Sequence, residues 1–371
     1  MSQSAPPVEQ LRAWTYRRLG LAGAAVTPQG ALAGAVAVYS SHPTAPLALL
    51  CRCPGLDEQA FRALEGERAA VRLPAMRGSI FLAPAASAAR LFVAHRPPLE
   101  THAERLEYAG VDWDTYARMK PALLEAARQP LTPAQVEQAL RDAGFALAGV
   151  RPTAVARVMA REGLVLRVGS SLRSDRLSYV AADAWLGGPL EADADEALRW
   201  LAGAYLAAYG PARVKDFAWW TGASQRRAAA ALDGLGVDCG GGWLLPAELL
   251  DGFGAAEPLD PAALVALPKW DAYTMGYAPD GRQRLVDDAH LRLAYSQGGG
   301  GTLHGDGFPL LLRGGRAVAR WSHKFAGQRL QVEVAPFAPG LLDDDPAPAF
   351  AAIGALLGAK ALDLSLAAPA G

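Results

Sequence analysis

The sequence predicts an α+β fold that is mostly helical. Apolar residues at helical spacing dominate the first two thirds of the chain. A pattern of helices followed by a β-ribbon rich in Arg and Gly occurs three times, and alternating strands follow residue 265. An apolar content of 51% over 371 residues excludes a disordered chain. We therefore predict three tandem units and a C-terminal β-rich segment, bounded at 1–98, 99–190, 191–264 and 265–371.

The first copy of the pattern is the least regular. Apolar spacing predicts helices over Val8–Leu19 and Pro28–Val38. A third helix, Leu56–Leu64, contains Asp57 as an N-terminal cap. Residues 70–83 then alternate as a ribbon, which completes the unit.

The second copy is clearer. A long helix over Trp113–Arg128 precedes a helix that begins after Thr132, a typical N-cap residue followed by Pro. Thr153–Glu162 is the third helix and carries two Arg. Residues Leu164–Ala181 alternate as two strands around a Gly-Ser-Ser turn, which predicts a hairpin.

The third copy is the most regular. Helices are predicted over Asp195–Tyr209, Val214–Thr221 and Gln225–Leu235, the last with Ser224 as N-cap. A run of three Gly then turns a short ribbon. Helix, helix, turn, helix and β-ribbon is the order of a winged helix, whose third helix enters the DNA major groove.

The C-terminal segment is predicted to be rich in strands and to end in a helix. The strands are Leu291–Tyr295, Pro309–Arg313, Arg316–Ser322 and Arg329–Ala335, and the helix is Ala347–Leu357.

The near-neutral net charge of −1 hides two basic stretches. Residues 151–176 carry a local excess of four positive charges, residues 313–329 an excess of five, and the tail after 341 is acidic. Such stretches are expected on a nucleic-acid interface, and equally on an ordinary solvated face.

Several other classes of protein are disfavoured. The longest apolar runs fall short of a membrane span, the N-terminus lacks a signal-peptide pattern, and three cysteines form no disulfide framework. The glycine run 298–301 is not followed by the Lys-Ser of a phosphate loop, and the six His lack zinc spacing. We therefore expect a cytoplasmic protein without a metal or another cofactor.

Four segments together point to a known family. They are Tyr39–Pro46, Met76–Pro84, Gly210–Gly222 and Leu267–Tyr277. The third, Gly-Pro-Ala-Arg-Val-Lys-Asp-Phe-Ala-Trp-Trp-Thr-Gly, is the closest to a family motif. In this order, over nearly the whole chain, the segments resemble the winged-helix DNA-binding family that includes the AlkZ and YcaQ (AlkX) DNA glycosylases.

The resemblance implies an architecture and a chemistry. The architecture is tandem winged helices with a small β-domain, which together form a concave DNA-binding surface. The chemistry is hydrolysis of the N-glycosidic bond of an alkylated purine by a water that a Gln-aliphatic-Gln pair holds. Here Tyr39 and Ser41 occupy the two Gln positions, and His42 occupies that of a family Asp. Phe81 replaces a family His. Asp271 and Tyr273 match the fourth motif without an assigned role.

These observations leave two main hypotheses. The first is a DNA glycosylase for alkylated or crosslinked purines, with Tyr39, Ser41 or His42 orienting the water. The second is a non-catalytic DNA-binding protein, a lesion sensor or regulator. A small-molecule or RNA site on the concave surface is a third reading. We expect a bacterial, nucleoid-associated monomer that binds double-stranded DNA through basic and aromatic residues on its helices and ribbons: Arg77, Arg157, Arg161, Arg173, Arg226, Arg227, Arg316, Arg320, Trp321 and Lys324.

Overall fold

The fold is that of an α+β protein in which helix predominates. A computed structural model describes residues 4–23, 27–169, 171–174, 176–297 and 303–369. Of the chain, 47% is helical and 18% is strand. None of the helices in the described ranges combines the length and the apolar character that crossing a membrane requires.

The helices and strands are numbered here in chain order. The helices are α1 Val8–Arg18, α2 Pro28–Gly34, α3 Ala45–Leu50, α4 Glu58–Gly66, α5 Ala88–His95, α6 Ala103–Ala109, α7 Trp113–Ala126, α8 Pro133–Asp142, α9 Pro152–Glu162, α10 Ala182–Leu186, α11 Ala194–Tyr209, α12 Val214–Thr221, α13 Gln225–Leu232, α14 Leu250–Gly254, α15 Ala272–Met275, α16 Leu291–Ala294 and α17 Ala347–Leu356. The strands are β1 Val38–Tyr39, β2 Ala70–Pro74, β3 Ile80–Pro84, β4 Val165–Val168, β5 Ser178–Ala181, β6 Val237–Asp238, β7 Leu244–Leu245, β8 Leu264–Leu267, β9 Tyr295–Gln297, β10 Leu303–Gly307, β11 Leu310–Arg313, β12 Arg316–Ala326, β13 Arg329–Pro336 and β14 Ala361–Leu366.

The chain divides into two compact units. The first comprises 1–39, 43–61 and 202–371, and the second comprises 40–42 and 62–201. The finer division into four segments at 98, 190 and 264 stays a prediction.

In the second unit, helices pack beside an antiparallel sheet with strand order β3-β2-β4-β5. Helices α6 to α9 share one apolar core, which includes Tyr116, Met119 and Met159. The predicted capping residue Thr132 caps α8, and its side chain accepts from the Gln135 amide. Strands β2 and β4 are paired, so the ribbons predicted for the first and second copies form a single sheet. Sequence periodicity gives no information on such long-range pairing.

Helix α9 is the third helix of the second copy, the position of the recognition helix in a winged helix, and it is largely buried. Six of its residues are buried: Ala154, Val155, Ala156, Val158, Met159 and Ala160. It contacts α6, α7, α8, β2 and β4 of its own unit, and Arg157 is the exposed residue in its middle. A recognition helix needs an open face for the groove. Most faces of α9 are therefore covered, Arg157 is its exposed residue between buried neighbours, and the role of α9 as a recognition helix stays a prediction.

In the first unit, five strands form a sheet in the order β14-β13-β12-β11-β8. All pairs are antiparallel except β13 with β14. The prediction missed β8 and β14, and it ended β12 four residues early. It also assigned 291–295 as a strand, whereas 291–294 is the short helix α16. Four residues are too few for periodicity to separate helix from strand. The glycine run 298–301 lies outside the described residues.

The third copy of the pattern has the predicted element order. Helix α12 has the predicted bounds, and Ser224 caps α13 by accepting from the Arg227 amide at 3.3 Å. Helix α13 ends at Leu232, three residues before the predicted end, and the ribbon of β6 and β7 follows. Unlike α9, α13 is exposed along a broad face that includes Arg226 and Arg227.

Candidate functional site

The segment predicted to be catalytic follows the short strand β1. Tyr39 ends β1 in the first unit, whereas Ser40, Ser41 and His42 belong to the second unit. The Ser40 amide donates to the Ile80 carbonyl at 2.8 Å, and the Ile80 amide donates to Ser41 Oγ at 3.0 Å. These two bonds fix the backbone of Ser40 and Ser41 beside β3.

Ser41 and His42 differ in exposure. Ser41 is half-buried and His42 is exposed. A hydroxyl has one donor and two acceptor positions. Ser41 Oγ accepts from the Ile80 amide, so its proton remains available for donation. The exposed His42 follows Ser41 in the chain.

A buried cation that the sequence analysis did not single out supports this segment. Arg72 Nε donates to Ser40 Oγ at 2.7 Å, and Arg72 Nη1 donates to the Gly169 carbonyl at 3.0 Å and to Glu65. Burial raises the pKa of the Glu65 carboxyl, and the nearby Arg72 opposes that rise. An Arg inside the apolar strand β2 was the sequence signal for this group.

Tyr39 lies against an aromatic side chain from the fourth motif. Its ring centroid is 4.5 Å from that of Trp270, with the planes tilted by 50°, and both side chains are half-buried. Thr44 Oγ1 donates to the Tyr39 carbonyl at 3.2 Å. The first and fourth motifs therefore meet in the first unit at this ring pair.

Asp271 and Tyr273 have structural roles. Asp271 is 1% exposed and accepts two bonds from Arg52, at 2.7 and 2.8 Å, as well as one from the Tyr273 amide at 2.8 Å. Tyr273 is fully buried, its hydroxyl donates to the Gly315 carbonyl at 2.8 Å, and burial raises its pKa. Both residues hold the motif in place from inside the core.

The second motif forms a tight turn. Arg77 has a φ of 54° and Gly78 a φ of 71°. Arg161 Nη2 donates to the Gly78 carbonyl at 3.2 Å, and a Cβ on Gly78 would lie 3.1 Å from Arg161 Nη1. Arg161 is half-buried, and burial lowers its pKa. Arg161 therefore joins α9 to this turn, whereas Arg77 is exposed.

The third motif also acts as scaffold. Asp216 is fully buried and accepts from Arg213 Nε at 2.8 Å and from the Ala278 amide at 3.0 Å. Phe217 and Trp220 lie in an aromatic cluster with Tyr205, at centroid distances of 5.2 and 5.0 Å. The closest match to a family motif thus stabilises the first unit.

The basic stretch 313–329 runs from the end of β11 through the hairpin of β12 and β13, and acidic side chains neutralise part of its charge. Arg316 Nη2 lies 2.8 Å from Glu9, and its Nη1 lies 2.7 Å from Asp287. Arg313 and Arg329 also form ion pairs, with Asp344 and Asp363. Within the ranges that the structure covers, Arg320 and Lys324 have no ion-pair partner. They are exposed on one face of β12, because residues two and four apart share a face.

Trp321, predicted above to contact DNA, is a buried residue of β12. It is 3% exposed and pairs with Val334, five positions from the turn, and its indole donates to the Leu267 carbonyl at 2.9 Å. The side chain points into the core because it alternates with exposed Arg320.

The remaining predicted DNA contacts are exposed in their own elements: Arg157 on α9, Arg173 between β4 and β5, and Arg226 and Arg227 on α13. Among the residues that the structure describes, no three His, Cys, Asp or Glu side chains are grouped so as to hold a metal ion.

Comparison with known proteins decides the family. The family profile described as DNA glycosylase AlkZ-like matches residues 32–360. The chain belongs to the AlkZ-like DNA glycosylase family. The solved structure of Streptomyces sahachiroi DNA glycosylase AlkZ has a TM-score of 0.71, and the match covers 99% of this chain and 100% of that one. At 19% identity, that match shows a shared fold. No curated protein matches the sequence.

The matched region of this AlkZ-like chain includes all four motifs. The third and fourth supply the buried anchors Asp216 and Asp271, the second forms the half-buried turn at Gly78, and the first carries Ser41 beside β3, followed by His42. The resemblance stated from the sequence is therefore confirmed at the level of the family and the fold.

Proposed function

We propose that this protein is a DNA-repair glycosylase that hydrolyses the N-glycosidic bond of alkylated or crosslinked purines in duplex DNA. Membership of the AlkZ-like family supports this proposal, and the observation that carries it is the fixed position of Ser41 beside β3, with His42 exposed next to it.

The chemistry asks little of the protein. A purine alkylated at N7 or N3 is positively charged and leaves readily, so the enzyme has to hold a water at the anomeric carbon and stabilise a cationic sugar. The Ser41 hydroxyl donates a hydrogen bond to the oxygen of that water and keeps its proton. His42 accepts a proton from the water as it attacks, since imidazole is the side chain that exchanges protons near neutral pH. Tyr39 directly precedes these residues in the chain.

DNA binding is assigned to exposed cations on two elements of the first unit. Arg226 and Arg227 lie on the open face of α13, and Arg320 and Lys324 lie on the outer face of β12. Such side chains contact phosphates, and each contact releases counterions, so the affinity falls as salt rises.

The test is the appearance of abasic sites. The purified protein is incubated with duplexes that carry N7-methylguanine, N3-methyladenine or a nitrogen-mustard crosslink, and alkali-labile strand breaks are measured. We expect breaks with wild type and a loss of about 10²-fold or more in the single-turnover rate for His42→Ala. Ser41→Ala is compared with Ser365→Ala, which removes the hydroxyl of an exposed residue on β14 that donates to the Val332 carbonyl at 3.4 Å.

The second hypothesis, a non-catalytic lesion sensor, has its own support in the sequence, because Tyr39 and Ser41 replace both family Gln residues. Tight, salt-sensitive binding to the same duplexes without strand breaks would establish it. Strand breaks that persist unchanged in Ser41→Ala and His42→Ala would leave a glycosylase whose water is held elsewhere.

A further inference from the structure

Strand β2 contains one charged residue in an otherwise apolar run. All five residues of Ala70–Pro74 are buried, and Arg72 is 4% exposed. A guanidinium in such a place adds little to the free energy of unfolding, because apolar side chains that replace a buried ion pair are often neutral or stabilising. Stability alone therefore does not account for Arg72, and its hydrogen bonds indicate what else it does.

Those hydrogen bonds reach three separate parts of the second unit. Arg72 Nη1 donates to the carboxylate of Glu65 in α4 and to the Gly169 carbonyl, which lies just after β4, at 3.0 Å. Arg72 Nε donates to Ser40 Oγ at 2.7 Å. The guanidinium is a rigid planar fork, so the two partners of Nη1 fix the direction of Nε. Ser40 Oγ is thus held from the sheet and from α4.

Ser40 transmits this constraint to the next residue. Ser40 is 4% exposed, and its amide donates to the Ile80 carbonyl at 2.8 Å. The Ile80 amide in turn donates to Ser41 Oγ at 3.0 Å. Three hydrogen bonds therefore hold two consecutive residues against β2 and β3. A hydroxyl that orients an attacking water needs such a fixed position, because a misplacement of about 1 Å can cost about 10²-fold in rate.

We propose that Arg72 is a positioning residue for hydrolysis of the glycosidic bond, and that it acts through the hydrogen bond from its Nε to Ser40 Oγ. The inference rests on the proposed function, in that it takes Ser41 as a residue that orients the water. It adds a buried side chain that acts without contacting the substrate. Loss of this hydrogen bond should therefore slow the chemical step and leave DNA binding intact.

The first measurement separates the chemical step from binding. Single-turnover rates of strand-break formation and affinities for the same alkylated duplex are compared for wild type, Ser40→Ala and Arg72→Lys. Ala removes the acceptor, whereas Lys keeps a positive charge beside Glu65 and lacks the Nε donor. Each variant should lower the rate by about 10- to 100-fold and leave the affinity unchanged.

A double variant tests whether one hydrogen bond is responsible. Ser40→Ala combined with Arg72→Lys should be no slower than the slower single variant, because both changes remove the same interaction. Ser40→Thr keeps an acceptor oxygen and should recover most of the rate. Ser87→Ala is the matched control in the same unit, since it removes a half-buried hydroxyl that donates to the Pro84 carbonyl at 3.1 Å, and it should keep the wild-type rate.

The second measurement does not depend on activity. Amide hydrogen exchange of the segment 40–42 is followed in the native proteins. It should be faster in Ser40→Ala and Arg72→Lys than in wild type, because the hydrogen bonds with Ile80 open more often, whereas exchange in α8 should be unchanged. Thermal unfolding shows that each variant is folded. Ser40→Ala leaves the pair of Arg72 and Glu65 in place, so it tests the proposal even where Arg72→Lys does not fold.

Several outcomes would overturn the proposal: unchanged exchange at 40–42 in both single variants, additive rate losses in the double variant, or an affinity that falls as much as the rate. Faster exchange with an unchanged rate would also overturn it and leave the glycosylase proposal standing. Absence of strand breaks with wild type would overturn the glycosylase proposal, and faster exchange in the variants would then retain Arg72 as the residue that holds 40–42 in place.

Discussion

At the residue scale, buried charges determine how the motifs are held. Arg72 connects Ser40, Glu65 and the Gly169 carbonyl inside the second unit. A cation and an anion in a low-dielectric interior stabilise the fold only when their hydrogen bonds are made, and losing one partner leaves an uncompensated charge. The position of Ser40, directly before Ser41, therefore depends on buried charged side chains.

The Glu65 carboxyl gives a pH-dependent prediction. Because its pKa is raised above 4.5 in the native state, the native state binds more protons than the unfolded state in the window above pH 4.5. The contribution of Glu65 to the free energy of unfolding should thus be full below that pH and fall as the pH rises through the native pKa.

The measurement is urea unfolding of wild type and Glu65→Gln at a series of pH values. The free energy of unfolding of wild type minus that of Glu65→Gln should fall as pH rises from about 4.5, because Gln stays neutral while the Glu65 carboxyl loses its proton. Glu67→Gln, at an exposed position just after α4, should show no such trend. A difference that grows with pH would mean that the ion pair with Arg72 outweighs burial.

At the element scale, pairing decides which basic residues are available. The hairpin of β12 and β13 turns after Ala326, and its outer face carries Arg320 and Lys324. Arg316, at the other end of β12, is already engaged by two carboxylates. A run that looks uniformly basic in sequence is therefore divided into free and neutralised cations.

This division predicts unequal effects on DNA binding. Arg320→Ala and Lys324→Ala should each reduce the slope of log affinity against log salt by about one unit, as expected for one phosphate contact. Arg316→Ala should change the slope by less, because its guanidinium is held by Glu9 and Asp287.

Titrations of a duplex at several salt concentrations measure these slopes. Lys360→Ala removes an exposed charge outside β12 and serves as the control. Equal slopes for Arg320→Ala, Lys324→Ala and wild type would exclude the hairpin from the interface.

At the scale of the whole molecule, the chain shares the fold of AlkZ over 99% of its length. In this fold Cys53 is buried, and Cys51 and Cys239 are half-buried. Burial raises the pKa of all three cysteine thiols, and it raises that of Cys51 to about 12. The Cys51 thiol also donates to the Ala266 carbonyl at 3.3 Å. Thiols with raised pKa values hold little of the reactive thiolate at neutral pH.

Alkylation of cysteine should therefore report global unfolding. Iodoacetamide at pH 8 should modify the native protein slowly and the denatured protein rapidly, with about ten-fold or greater contrast at Cys51. Mass spectrometry of the peptides measures each site. Rapid labelling of Cys51 in the native state would show that the region around α3 opens without global unfolding.

The sequence by itself determined the family and most local elements. The capping residues Thr132 and Ser224 and the helical spacing of 214–221 act over a few residues, so their outcome is readable from the chain. The four motifs indicated the family from short stretches of sequence, and the family profile matches residues 32–360, which include them.

Only the tertiary structure decided what each motif residue does. The burial of α9 and Trp321, the ion pairs of Arg316, and the contact between Tyr39 and Trp270 join residues that are far apart in sequence. No local pattern encodes such partners, since pairing between strands and the meeting of charges depend on how the whole chain packs. The sequence therefore indicated where the chemistry lies, and packing decided which side chains remain available for it.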